Sequence, residues 1–412
     1  MLLSPADRDM LAGVRGAGAA KAMNILAALG RIHNAPDMAD VKSVQVSGIS
    51  YKNIGPHGLG FLEEWAGQGS KTVVPSFMNP GGNDRRLWKE LGFSADFVEK
   101  QSRVIAALEK LGVEPTLTCT PYHTVTKPAF GDHLAWAESS AVAYANSVLG
   151  ARTNREGGPS ALAAALTGRT PRHGLHTDAG RMPTRSVRVN CKVLSTADAG
   201  ALGAIVGKAL AEDGSAGVPY LLGVEPPEGL RRDAWLKALG AAMAAFGSTA
   251  LFHIDGVTPE AKQSGPELLK AAKREMVIDS LEDGLKSLHR GGGKIDVVAV
   301  GCPHASLDDI SYIHGLLKNR KAKIPVWIFT SEAVRVQVDA QRLSALRELG
   351  VKIVADTCIV VAPLKDIGIK NVAIDSAKSA CYLPSHQQVG LYYASTEELV
   401  ETAVRGEWKA GK

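Results

Sequence analysis

Short apolar, β-branched runs alternate with Ala- and Leu-rich windows along most of the chain. The runs VKSVQVSGI, KTVVPSF, EPTLTCT, SVRVNCKVL, TALFHI, IDVVAVGC, IPVWIFT, VKIVADTC and NVAID predict strands. Windows such as DFVEKQSRVIAALEKLG and DAQRLSALRELG predict helices, each stopped by the glycine that most easily adopts a left-handed cap. Alternation of this kind predicts parallel sheets with helices outside them, an α/β protein. Seams at HTDAGRMPT (176–184) and HRGGGKID (289–296) divide the chain into three expected lobes, 1–183, 184–290 and 291–412. RGGGKID has the glycines of a phosphate loop, but Ile295 follows Lys294 where Ser or Thr is needed. A strand comes next, so the segment reads as a turn.

Composition adds exclusions. With 412 residues, 45% hydrophobic and 22% charged, the chain can bury a substantial core. A net charge of +5 without a sustained basic block gives no reason to expect nucleic acid, although a small anionic substrate suits it. No apolar run reaches transmembrane length, and an N-terminus carrying Asp7, Arg8 and Asp9 is not a signal peptide, so a cytoplasmic protein with no membrane contact is expected. Five cysteines without a CxxC pair are thiols or metal ligands rather than a disulfide framework.

Position separates those cysteines. Cys119, Cys302 and Cys358 each end a predicted strand, whereas Cys191 falls inside SVRVNCKVL and Cys381 in a predicted helix. Ligand sites in open α/β sheets gather outside the carboxyl ends of strands, so three thiols there could share a metal or an iron–sulfur cluster. Position alone leaves open that all five are small buried residues.

Polar groups gather at the same strand ends. SGISYKNIGPHGLGFLEE leaves a strand at Gly48, crosses a glycine-rich turn and is expected to begin a helix near Gly58. Asn79-Pro80 follows another strand. GDHLAWAESSAVAYANSVLG reads as one helix with Glu138, Ser139 and Ser140 near its start, where a glutamate is an acid, a ligand or a favourable N-terminal charge. Asp375, Ser376 and Lys378 follow a late strand, and the lysine could be a point charge for an anion. His57, His123, His133, His173, His176 and His304 lie in these loops too. The polar stretch Arg152–Ser160 interrupts two Ala-rich windows, with Gly158-Pro159 placed to open the second helix.

Taken together, SYKNIG, TCTPY, WAESSAV, ANSVLGARTNREGGPSALAAALTGRTP, GCPHASL and SAKSA resemble, in order and over nearly the whole chain, the aconitase X family of hydro-lyases. The resemblance implies an aconitase-like fold of two to three α/β lobes around a central cleft. It implies an iron–sulfur cluster on Cys119, Cys302 and Cys358. Gly48, Ile49, Ser50, Asn79, Pro80, Glu138, Ser139, Asp375, Ser376 and Lys378 then fall in the substrate pocket, with Glu138 and Ser139 in catalytic positions and Arg152, Arg155 and His304 behind them. In departures from the family's pattern, Asp375 stands where asparagine is expected, Ala377 where some members have glycine, and Pro56 and His57 where archaeal members tend to have an acidic residue and alanine.

The resemblance further implies a swivelling domain that completes the site. The chain ends at VRGEWKAGK, soon after the last predicted helix, so that domain is expected as a separate small subunit carrying a serine base. Two substrates are known in the family. The expectation here is cis-3-hydroxy-L-proline, dehydrated to a pyrroline-2-carboxylate; the alternative is mevalonate 5-phosphate, and a non-catalytic, cluster-binding regulatory protein is the reading of another class.

Overall fold

The computed structural model describes residues 1–212, 214 and 217–409; three residues of the middle expected lobe and the last three of the third lie outside the described residues. Three parallel sheets carry the architecture. The first holds Ser76–Met78, Val44–Val46 and Ala135–Trp136 in that spatial order. The second runs His253–Ile254, Pro219–Leu222, Arg185–Val189, Glu275–Ile278. The third runs Val351–Ala355, Val326–Thr330, Val297–Val300, Asn371–Ile374, Gly390–Tyr393. A small antiparallel pair, Met38–Asp40 with Arg169–Pro171, closes the edge of the first lobe. The chain is therefore α/β with mainly parallel sheets, as its alternating pattern predicts. No helix among the described residues is long and apolar enough to cross a membrane.

In each sheet the earliest strand sits inside, with later strands added on both sides. The order reverses beside that strand, and the crevice beyond its carboxyl end is where such sheets bind ligands. In the third sheet this reversal lies between Val297–Val300, which leads to Cys302, and Asn371–Ile374, which leads to Lys378. One hydrophobic core spans the second and third lobes, joining Val187, Trp235 and Leu239 to Val297, Phe329 and Val372, and takes in Leu91 and Phe93 of the first. The first lobe has its own core around Met23, Trp65 and Leu108.

Several expected elements differ. EPTLTCT forms only a single bridge, Phe77 to Glu114, because Pro115 offers no N–H and Leu117 takes a φ of 45° that leaves the extended region. GDHLAWAESSAVAYANSVLG splits into the strand Ala135–Trp136 and the helix Ser139–Ser147, with Glu138 capping the helix. Cys191 lies beyond the end of its strand, which stops at Val189, rather than inside it. The helix expected near Gly58 begins at Tyr51 and is kinked at Gly55-Pro56.

Candidate active site

The first lobe delivers three strand ends to one place. Gly48, Ile49 and Ser50 follow Val44–Val46, Asn79 and Pro80 follow Ser76–Met78, and Glu138 and Ser139 follow Ala135–Trp136. The third lobe adds Lys378, from the first turn of the helix Ala377–Gln387, and Cys358. All these residues, with Arg155, line one cavity of about 240 Å3.

Glu138 is its electrostatic centre. Asn79 Nδ2 donates to Oε2 at 2.8 Å, Ser140 donates to Oε1 through N (3.3 Å) and Oγ (3.1 Å), and Lys378 Nζ donates to Oε1 as well. Burial pushes this carboxyl up, but the Lys378 ammonium and the hydrogen bonds outweigh it and hold the group at about 2. Glu138 is thus an anion at neutral pH, able to accept hydrogen bonds or bind a cation, and not a proton donor. Burial works against the Lys378 charge, while the Glu138 carboxylate raises its pKa above the ordinary value.

Of the three cysteines, Cys358 lines this cavity, Cys302 lines a neighbouring one, and buried Cys119 is joined to the Cys302 segment through the His304 backbone. Gly301 carries the chain from strand to Cys302 with φ of +94°, and a Cβ there would lie 2.2 Å from Phe329 O, so glycine is required. Cys358 N donates to Gly81 O at 3.0 Å, fastening the third lobe to the loop after Asn79-Pro80. His304 touches all three cysteine segments: it lies two residues after Cys302, its N–H donates to Cys119 Sγ at 3.2 Å, and its Nε2 is 3.0 Å from Thr357 O, next to Cys358. All five cysteines are free thiols. Burial and nearby negative charge push Cys119 well up and Cys358 up to about 12, so neither is ionised as the chain stands. Among the described residues no three His, Cys, Asp or Glu side chains come close enough to hold a single metal ion. Ser50 Oγ, Asn79 Oδ1, Tyr122 Oη and His304 Nδ1 are buried without hydrogen-bond partners among the described residues.

Other expected residues lie elsewhere. Asp375 accepts from Thr396 Oγ1 at 2.7 Å and lines a neighbouring cavity of about 50 Å3 behind Cys302. Ser376 caps the helix that carries Lys378. Arg152 pairs with exposed Asp178 and the His176 carbonyl, away from the cavity. Glu156 takes Ser160 Oγ and Thr170 Oγ1 rather than an arginine. Of the loop's two arginines, Arg155 reaches the cavity, exposed and without a carboxylate partner among the described residues. Tyr122, Asp233 and Lys237 were not expected near the site; Lys237 sits in an Ala-rich helix and carries no local signal of burial.

Family models of the aconitase X first, second and third domains match residues 1–179, 183–284 and 295–405. This chain belongs to the aconitase X family. The crystal structure of Thermococcus kodakaraensis aconitase X in its holo-form superposes with a TM-score of 0.88 at 40% identity, covering 98% of this chain and all of that one. The phosphomevalonate dehydratase large subunit of Methanothermobacter thermautotrophicus is 43% identical over 93% of this chain and 94% of its own length. The cis-3-hydroxy-L-proline dehydratase of Pseudomonas aeruginosa is 33% identical over 98% of this chain and 70% of its own length. As an aconitase X protein of large-subunit type, the chain is a hydro-lyase, a dehydratase.

Proposed function

We propose that this aconitase X chain dehydrates mevalonate 5-phosphate together with a small subunit. The observation that carries the reading is the contrast between 43% identity to a phosphomevalonate dehydratase large subunit, nearly end to end, and 33% to a hydroxyproline dehydratase matched over 70% of its length. The expected hydroxyproline substrate is therefore the weaker reading. Charge supports the same choice. A phosphate ester brings nearly two negative charges besides the substrate carboxylate, and Lys378 is already committed to Glu138. Arg155, at the cavity wall and without a carboxylate partner among the described residues, is the reserve cation that fits it.

The thiol set fits an iron–sulfur cluster. A cluster takes one thiolate per iron, so Cys119, Cys302 and Cys358 need not meet at a point as ligands of a single ion must. The orphaned Tyr122 Oη and His304 Nδ1 are buried polar atoms left for a further partner. Such a cluster would supply a Lewis acid to the departing hydroxyl oxygen.

The chain's own residues would do the rest. The loop Gly48–Ser50 and Asn79 would orient the substrate carboxylate, Lys378 would keep Glu138 anionic, and Arg155 would hold the phosphate. Glu138 at about 2 is too weak a base to take a proton from carbon, which supports a base on the small subunit. Turnover of mevalonate 5-phosphate and cis-3-hydroxy-L-proline, compared side by side with the chain alone and with its small subunit, tests the reading. Turnover of the phosphate compound only when both subunits are present is expected. Preference for hydroxyproline, or full turnover by the chain alone, overturns it.

A further inference from the structure

The second lobe contributes none of the three thiols, yet one of its helices sends a charged pair between the two lobes that do. Helix Arg231–Gly247 places Asp233 and Lys237 one turn apart on the same face, Nζ 3.6 Å from Oδ2. Lys237 is 4% exposed, and an ammonium so buried is costly unless its donors are used. They are used on the third lobe: Asp309 Oδ2 accepts at 3.0 Å and the His304 carbonyl at 3.4 Å. Asp233 serves the first lobe. It accepts from Tyr144 Oη, on the helix that Glu138 caps, and pairs at 3.0 Å with His123 Nε2, on the short helix that follows Cys119.

The His304 carbonyl is the telling contact. The same residue's N–H meets Cys119 Sγ and its ring meets the carbonyl beside Cys358, so whatever fixes its backbone fixes the relation of all three cysteine segments. We propose that Asp233 and Lys237 are positioning residues for the thiol set, holding it from a lobe that contributes none of its three members. This rests on the reading of Cys119, Cys302 and Cys358 as one ligand set.

The test uses the full chain, first without metal. Lys237→Met keeps the side-chain length and leaves Arg231 on Asp309 at 3.1 Å, so no carboxylate is stranded. Cys119 alkylation by iodoacetamide, followed by peptide mass spectrometry, should accelerate about tenfold through local opening around His304. Lys237→Arg should bring the rate back to within about threefold of the wild type, since it restores the donor and the charge. Leu239→Ala, which removes a fully buried apolar side chain from the same helix, controls for general loosening and should leave the Cys119 rate near that of the wild type. After anaerobic reconstitution, Lys237→Met should also lose iron to a chelator several times faster than the wild type. A folded Lys237→Met protein with unchanged alkylation and iron loss overturns the inference, as does an equal effect in Leu239→Ala. If Lys237→Met does not fold, Asp233→Asn takes its place: faster Cys119 alkylation supports the inference and an unchanged rate overturns it. Wild-type chain that takes up no iron would sink the ligand-set reading instead, and the metal-free alkylation series would still decide the positioning role.

Discussion

Asn79 donates its side-chain N–H to Glu138 Oε2 at 2.8 Å, so two strand ends of the first lobe share one carboxylate. The other oxygen takes Lys378 from the third lobe, which makes this carboxylate a joint between lobes.

Removing either end of a buried pair leaves the other charge uncompensated, at a cost of about 3–5 kcal/mol. Glu138→Gln and Lys378→Met should each lower the unfolding midpoint and reduce turnover at least about a hundredfold. The double substitution should cost less stability than the sum of the two, because no stranded charge remains. Denaturant titration of the four proteins reads this directly; simple additivity would mean that the pair is not energetically coupled.

The two arginines of the loop should behave differently. Arg155→Ala is expected to raise KM for mevalonate 5-phosphate about tenfold, about 1.4 kcal/mol, with kcat changed little. Arg152 pairs with a largely exposed carboxylate, so Arg152→Ala should cost at most about 1 kcal/mol and leave the visible absorption of reconstituted protein intact. Steady-state kinetics and absorption spectra of both variants check this. An Arg155 variant that loses kcat and not affinity would place that side chain at the reacting atoms.

Gly301→Ala forces a Cβ onto the Phe329 carbonyl at a backbone angle unfavourable to alanine. A stability loss of at least about 1–3 kcal/mol is expected, with reduced iron content, because the next residue is Cys302. Cys302→Ala should retain the fold and lose the visible absorption. A calorimetric scan with iron analysis separates the two effects, and unchanged absorption in Cys302→Ala would remove that cysteine from the ligand set.

Acid sensitivity should come from the first lobe's histidines. Burial, with His133, His173, Arg181 and Arg152 nearby, pushes His176 down to about 3; burial and His33 push His173 to about 4. Both lie below the unfolded value of about 6.5. Between the two values the unfolded chain binds protons that the folded chain refuses, so stability falls as the pH drops below 6.5 and levels off near the folded values. Above 6.5 the contribution is fully present. For His176 the slope is about 1.4 kcal/mol per pH unit; half-buried His173 adds less. Histidine side-chain NMR at pH 5 should find both rings neutral, and a charged His176 there would refute the assignment.

Much of the candidate site was legible because parallel sheets gather polar residues at their strand ends. Gly48, Asn79, Glu138 and Lys378 all follow strands and line one cavity. Asp375 shows where that logic stops: three residues from Lys378, it faces Thr396 in the neighbouring cavity, a difference set by how the strand turns into its helix. Lys237 was illegible because only the packing of a second lobe makes an ordinary helical lysine internal. The family was readable from the motifs, but the choice between two substrates was not: the motifs belong to the family as a whole, and it is whole-chain identity, 43% against 33%, that favours the proposed phosphate substrate.

Cys119 and Cys302 are separated by 183 residues and belong to different lobes. A chain emerging from the ribosome exposes its first thiol long before the strands that present the other two exist. The proposed ligand set would therefore be a product of nearly complete synthesis and of lobe docking. On that proposal a truncated or misdocked chain lacks the set, so loading with metal would distinguish finished molecules from unfinished ones.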